Sequence, residues 1–182
     1  MMDFRTAIPR DSCFGRLLRF PLKLIPPKAV VPILSGPMKG LKWMAGAGNH
    51  GCWMGTYELA TQELVVREVA ACDVAFDLGA NHGFFSMLLA RHAKCVVAVE
   101  PFAPNIAVLE RHLGMNRITN CKILCAGAGR ENGTTCFAKG MNHATGRICA
   151  TGAIEVNIVS FEELVKRYGP ASWTSKERNW RC

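Results

Sequence analysis

The sequence predicts an α/β protein built on a parallel sheet with helices on both faces. Three observations predict it. Short apolar runs alternate with helix-like segments between residues 57 and 126. Two of those runs end at a carboxylate, Asp77 and Glu100, 23 positions apart. A glycine-bearing turn, Gly79-Ala80-Asn81-His82-Gly83, lies between them and opens straight into a helix. Strands that alternate with helices pair in parallel through right-handed crossovers.

Each element has its own warrant. Residues 1–35 are Pro-rich and basic and read as an N-terminal extension, with a short helix expected near Cys13–Phe20. Gly36-Pro37-Met38-Lys39-Gly40 has turn chemistry, and Leu41–Met44 follows as a short strand. Tyr57–Ala70 places Leu59, Leu64, Val65 and Val69 among charges, the pattern of an amphipathic helix. Then come strand 72–78, helix 84–92, strand 95–100, helix 104–114 and strand 121–126. Gly133–Phe137 and Ala153–Val159 read as an antiparallel pair around a Gly-rich loop. Ser160 begins a helix, and Glu163 three residues later completes a capping box. Domain organisation is therefore an extension at 1–35, a cofactor-binding domain at 36–168 and a divergent, disordered tail at 169–182.

Composition bounds the function. At 182 residues and 49% hydrophobic, the chain supports one domain with an ample core. No apolar run approaches the length of a membrane span, and Arg10, Arg16, Arg19 and Lys23 interrupt any signal-peptide core. The nine cysteines lack zinc spacing and read as reduced thiols of a cytoplasmic protein, with no metal site. Residues 1–48 carry eight Lys/Arg against two acids, a surplus of six out of the net +8. A solvated extension is the favoured reading; peripheral contact with an anionic membrane is the alternative. Nucleic acid is not expected as a partner, because the basic residues lack interleaved aromatics and a binding motif.

The turn between the acids carries the chemistry. Gly79 and Gly83 remove Cβ where backbone must turn and approach a ligand. Backbone N–H groups of the turn and the start of the following helix are expected to face that ligand. Glu100 ends the next strand, at a spacing suited to accepting two ribose hydroxyls at once. A dinucleotide fingerprint would put glycines at 81 and 84, where Asn81 and Phe84 stand. Asp77 before the turn would repel a pyrophosphate and suits a cation, such as the sulfonium and ammonium of S-adenosylmethionine.

Phe76–Ser86 followed by Val99-Glu100-Pro101-Phe102-Ala103-Pro104-Asn105 resembles the FkbM family of S-adenosylmethionine-dependent methyltransferases. Trp53-Met54-Gly55-Thr56-Tyr57-Glu58 also resembles that family, which often carries a Gly-x-Tyr-Glu element upstream. The similarity covers roughly residues 36 to 168. It implies a class I, Rossmann-like methyltransferase fold with S-adenosyl-L-methionine as cofactor. It also implies O-methylation of a hydroxyl on a small molecule, a sugar, a glycan or a natural-product-like acceptor. Candidate cofactor residues are Asp77, Gly79, Ala80, Asn81, Gly83, Glu100, Pro101 and Phe102. Tyr57 and Glu58 join them on the resemblance alone.

Alternative roles stay open for several of these. Asn81 shapes the turn or touches the ligand. Phe102 covers an adenine face or fills the core. His82 packs or bonds within the loop, with general base toward a substrate hydroxyl as the alternative. Compared with the family, residues 169–182 lack the C-terminal strands. The expectation is a truncated chain whose Asp77 strand becomes an open apolar edge, prone to self-association. Two rival functions stand beside the methyltransferase: an inactive remnant that binds a cofactor or partner, and a dinucleotide oxidoreductase.

Overall fold

The structure is a computed structural model. It describes residues 24–70, 72–138, 147–148 and 153–169. The helix expected near Cys13–Phe20 and the tail expected from residue 170 onward lie outside these.

Its centre is a parallel sheet of β3 (Val74–Leu78), β4 (Cys95–Val99) and β5 (Cys121–Leu124), in that order. Ala75 pairs with Val96, and Val96 with Cys121. β4 is Cys-Val-Val-Ala-Val and is buried at every residue, which is what a central parallel strand requires. Its side chains alternate between two layers. Val96 and Ala98 face a core with Ala75, Phe84, Met87, Leu88, Leu109 and Leu113. Val97 and Val99 face Val159, Leu164 and Tyr168 on the opposite side. This period of two puts helices on both faces.

The first layer contains α3 (Phe84–Ala90) and α4 (Ala103–Met115), the crossovers on either side of β4. The hairpin β1 (Val30–Pro32) with β2 (Lys42–Met44) packs against it, together with α1 (His50–Met54) and α2 (Leu59–Val69). The domain boundary expected at residue 36 therefore falls inside the hairpin, and Ile33 is buried with the core. α1 was not expected from the sequence. It has five residues and ends at Gly55, whose φ is +78°. A Cβ on Gly55 would lie 1.8 Å from the Ser35 carbonyl oxygen, so close backbone approach explains this glycine of the Gly-x-Tyr-Glu element.

α2 begins two residues later than its periodicity suggests, because Glu58 has a φ of +44°. Its inward face also differs: Leu64 is exposed, while Gln62 is buried and bonds through Nε2 to the Tyr57 carbonyl at 2.5 Å. The main-chain bond a core glutamine needs is supplied by the irregular turn before the helix, which periodicity does not register.

The strand expected over 121–126 is two strands in two sheets. β5 ends at Leu124, and β6 (Gly127–Gly129) joins β9 (Ile154–Ser160) in parallel. Between them the Ala126 N–H bonds the Leu124 carbonyl at 2.9 Å, a γ-turn that redirects the chain. β9 also pairs antiparallel with β7 (Gly133–Ala138), as the alternation predicts, and β7 pairs with β8 (Arg147–Ile148).

α5 (Phe161–Tyr168) closes the second layer. The Glu163 N–H bonds Ser160 Oγ at 3.1 Å, which forms half of the expected capping box. The other half is replaced: the Ser160 N–H goes to Asn132 Oδ1 at 2.8 Å, and Glu163 pairs with Arg167. α5 also supplies cover that the sequence left missing over the Asp77 strand. Val74 and Phe76 pack against its cluster, and the Phe76 and Phe161 rings meet edge-on at 5.8 Å. Among the described residues β3 pairs only with β4, and of its side chains Ala75 is buried while Leu78 is exposed.

His112 joins the hairpin to the sheet. It is fully buried and stacks on Trp43 at 3.9 Å. Nδ1 lies 2.7 Å from the His82 carbonyl, and Nε2 lies 3.1 Å from the Met44 N–H. The carbonyl needs a donor and the amide an acceptor, so the ring is neutral with the proton on Nδ1. Burial pushes its pKa from 6.5 down to about 4. Between those values the unfolded chain binds a proton that the folded chain does not, so stability rises with pH and levels off above about 6.5. Comparing pH 7.5 with pH 5, His112 should cost about 2 kcal/mol on acidification. Urea titrations at the two pH values check this. A His112→Phe variant should lose that share of the pH dependence; the same dependence in the variant would show that His112 is not its source.

Candidate cofactor site

The candidate residues gather at the carboxyl ends of β3 and β4. In open α/β sheets this is where crevices bind ligands. Leu78 is in register with Val99, so Asp77 and Glu100 stand at the ends of adjacent strands. The turn joining β3 to α3 passes between them with φ of +83° at Gly79, +50° at Asn81 and +84° at Gly83. The two glycines differ. A Cβ on Gly79 would meet nothing within 4 Å, whereas one on Gly83 would lie 2.1 Å from Leu109 Cδ1. Gly79 thus leaves open space beside the backbone, and Gly83 seats α3 against α4.

Four of the turn's donors, which were expected to face a ligand together with the start of the helix, are engaged within the protein. The Gly79 and Ala80 N–H groups both bond the Val99 carbonyl, at 2.8 and 3.1 Å. The Asn81 N–H bonds Glu100 Oε2 at 2.8 Å, and the Gly83 N–H bonds the Ala80 carbonyl at 2.7 Å. Left-handed residues fold the turn back on the end of the neighbouring strand, where Val99 and Glu100 take three of these donors and Ala80 in the turn takes the fourth.

Glu100 is 4% exposed. Its Oε1 accepts from the Phe102 N–H at 3.0 Å and from Asn105 Nδ2 at 3.1 Å. Its Oε2 accepts from Asn81 alone among the described residues. With about two acceptor sites per oxygen, one is left for a ligand. The expectation that Glu100 takes two ribose hydroxyls by itself therefore fails unless an internal bond is released.

Asp77 is half-buried and accepts from Ser86 Oγ at 2.5 Å. Burial raises its pKa, the Ser86 bond opposes the rise, and the Glu100 charge adds to it. Ser86 is itself fully buried in α3. Sequence reasoning passed it over, though a lone hydroxyl in the run Phe-Phe-Ser-Met-Leu-Leu-Ala was a signal. Asn105 is the second residue missed. It is 4% exposed, and its place five positions after Glu100 was the available clue.

Other candidates sit behind the turn. Phe102 precedes α4, is buried, and stacks on Phe137 at 5.6 Å with Val156 nearby. Its ring belongs to the core beneath the second sheet, so the adenine-cover reading gives way to the core reading. Pro101 is half-buried at the entry to α4. Tyr57 packs edge-on to Phe84 at 5.1 Å, behind the start of α3. Burial first, and then its bond to Glu58, push its hydroxyl up to about 12. Glu58 is exposed. For His82, the carbonyl takes a structural bond from His112.

No protein-family model matches the chain. No curated protein is significantly similar to it. Among solved structures it overlaps methyltransferases. A putative methyltransferase from Escherichia coli, yhhF, aligns with a TM-score of 0.42 at 14% identity, covering 54% of this chain and 53% of that one. A putative methyltransferase from Streptococcus mutans in complex with SAH aligns at 0.36 and 18%, covering 37% and 39%. An rRNA methylase from Streptococcus thermophilus aligns at 0.36 and 16%, covering 38% and 42%. The chain thus spans about two-fifths of the length of the two streptococcal proteins, 39% and 42%. These overlaps are partial and assign no role to individual residues here. Among the described residues, no helix is long and apolar enough to cross a membrane.

Proposed function

We propose that the carboxyl ends of β3 and β4 bind S-adenosyl-L-methionine, and that the chain is a methyltransferase or the cofactor-binding part of one. One observation carries the reading: four N–H groups of the turn, those of Gly79, Ala80, Asn81 and Gly83, are engaged within the protein. A pyrophosphate draws on donors of such a turn as well as on the helix start, so these four engaged groups weigh against a dinucleotide. What the two strand ends offer instead is carboxylate: Asp77 at one and Glu100 at the next. Two acids at adjacent strand ends favour a ligand that is cationic and rich in hydroxyls.

When bound, S-adenosylmethionine supplies an electrophilic methyl group on sulfonium. The chain's own residues have simpler tasks. Gly79 lets the ligand approach the backbone. Asp77, oriented by Ser86, offers negative charge to the cation. Glu100 Oε2 takes a ribose hydroxyl. The resemblance to the FkbM family supports a hydroxyl acceptor on a small molecule, sugar or glycan rather than a nucleic acid. His82 is the sole general-base candidate from the sequence, and its carbonyl bond to His112 gives its side chain no catalytic assignment.

Isothermal titration of the 182-residue chain tests this. S-adenosylmethionine and S-adenosylhomocysteine should bind more tightly than NAD; tighter binding of NAD would overturn the assignment. The pH dependence has a defined sign. A cationic ligand favours ionised Asp77, whose pKa burial has raised. Affinity for S-adenosylmethionine should therefore rise as pH rises through that raised range. Affinity for S-adenosylhomocysteine, which lacks the sulfonium charge, should move less.

A further inference from the structure

Asn105 carries an unanswered acceptor beside Glu100. It lies in the first turn of α4, and its backbone N–H bonds the Phe102 carbonyl at 2.9 Å. Its Nδ2 donates to Glu100 Oε1 at 3.1 Å. The amide orientation follows from chemistry, since turning it over would set an oxygen against the carboxylate. That leaves Oδ1, which is buried and has no hydrogen-bond partner among the described residues. Asn81, whose N–H bonds the same carboxylate, has its Oδ1 in the same condition. Buried acceptors without donors are rare in native proteins, and each calls for a partner.

The cluster is therefore short of donors. Glu100 Oε1 holds two, Oε2 holds one, and the adjoining amide oxygen of Asn105 holds none. Oδ1 and Nδ2 share one planar amide, and that amide is bonded to the carboxylate at Oε1. A ribose brings two hydroxyl donors on neighbouring carbons, which suits two acceptors on neighbouring groups. We propose that Asn105 is a ligand-binding residue that shares the ribose diol with Glu100: Glu100 Oε2 accepts one hydroxyl and Asn105 Oδ1 accepts the other. This rests on reading the site as one for an adenosine cofactor. It replaces the arrangement in which one carboxylate takes both hydroxyls, for which Glu100 has too few free positions.

The test is calorimetry of the full chain with S-adenosylhomocysteine and with its 2′-deoxy and 3′-deoxy forms. In the wild type each missing hydroxyl should weaken binding about three- to tenfold. Asn105→Leu removes the amide oxygen but also frees a position on Glu100 Oε1, so the side-chain 13Cγ resonance of wild-type Asn105 is read beside it: S-adenosylhomocysteine should shift that resonance, and one of the two deoxy forms should not. Asn105→Asp keeps an acceptor in place, so both penalties should persist even as overall affinity falls. If Asn105→Leu does not fold, Asn105→Ala is read in the same way. A wild type indifferent to either hydroxyl overturns the proposal without any variant. So does a wild-type Asn105 13Cγ resonance that responds alike to S-adenosylhomocysteine and to both deoxy forms, the result expected if a bridging water partners Oδ1. Binding of adenosine but not of S-adenosylhomocysteine overturns only the cofactor assignment, and the hydroxyl series is then read on adenosine and its deoxy forms. No binding of any adenosine-bearing ligand overturns both.

Discussion

Replacing Glu100 with alanine is expected to destabilise the fold by about 3–5 kcal/mol, a larger effect than any direct loss at a ligand. The reason lies in its three donors. Without the carboxylate, the N–H groups of Asn81 and Phe102 and the Asn105 amide all lose their acceptor in a buried setting. Each buried, unsatisfied donor costs about 1–3 kcal/mol. The turn after β3, the entry to α4 and the end of β4 would loosen together, because this one side chain ties them. Urea denaturation of Glu100→Ala against wild type measures it, and a loss under about 1 kcal/mol would show that the donors find water instead. Glu100→Gln keeps one oxygen acceptor and should lose less. It is therefore the better variant for ligand binding, where a folded protein is required.

Gly83→Ala should be the second severe change. Two costs combine at this position. An L-residue held at φ +84° costs about 1–2 kcal/mol, and the new Cβ would sit 2.1 Å from Leu109 Cδ1. Leu109 is fully buried between α3 and the sheet, so its side chain cannot turn away without forcing others off their rotamers. Overpacking of this kind adds about 1–3 kcal/mol, for a total near 3–4 kcal/mol. Gly79→Ala is the internal control. Its φ is +83°, yet its Cβ would meet nothing within 4 Å, so only the conformational cost applies. Gly83→Ala should thus be the worse of the two by at least about 1 kcal/mol in a denaturation series. The double variant Gly83→Ala with Leu109→Ala should show a coupling of opposite sign to its single losses, because the second change removes the clash. Equal losses at the two glycines would place the whole effect in backbone conformation.

The same residues separate what was readable in the chain from what was not. The strands of Asp77 and Glu100, the helix between them and the antiparallel pair near residues 133–159 follow from local pattern. Each depends on runs of side chains that bury one way whatever surrounds them. The adjacency of Asp77 and Glu100 follows too, since alternating strands and helices admit few topologies. Gln62 in a core position, the split at Leu124 and the half-formed cap at Ser160 do not. In each case a main-chain group or distant side chain, the Tyr57 carbonyl, the Leu124 carbonyl or Asn132, supplies the deciding bond.

The sequence by itself determined the type of fold, the position of the turn and which acids end the strands. Those properties are set by periodicity, glycine placement and charge, all of which act over a few residues. Only the tertiary structure decided how that turn is used. Its N–H groups are engaged by Val99 and Glu100, Phe102 is held by Phe137, and Asn105 stands beside the carboxylate with an oxygen unanswered. Hydrogen-bond donors and acceptors pair by distance in space, and the fold sets that distance by bringing the end of one strand against the loop of another.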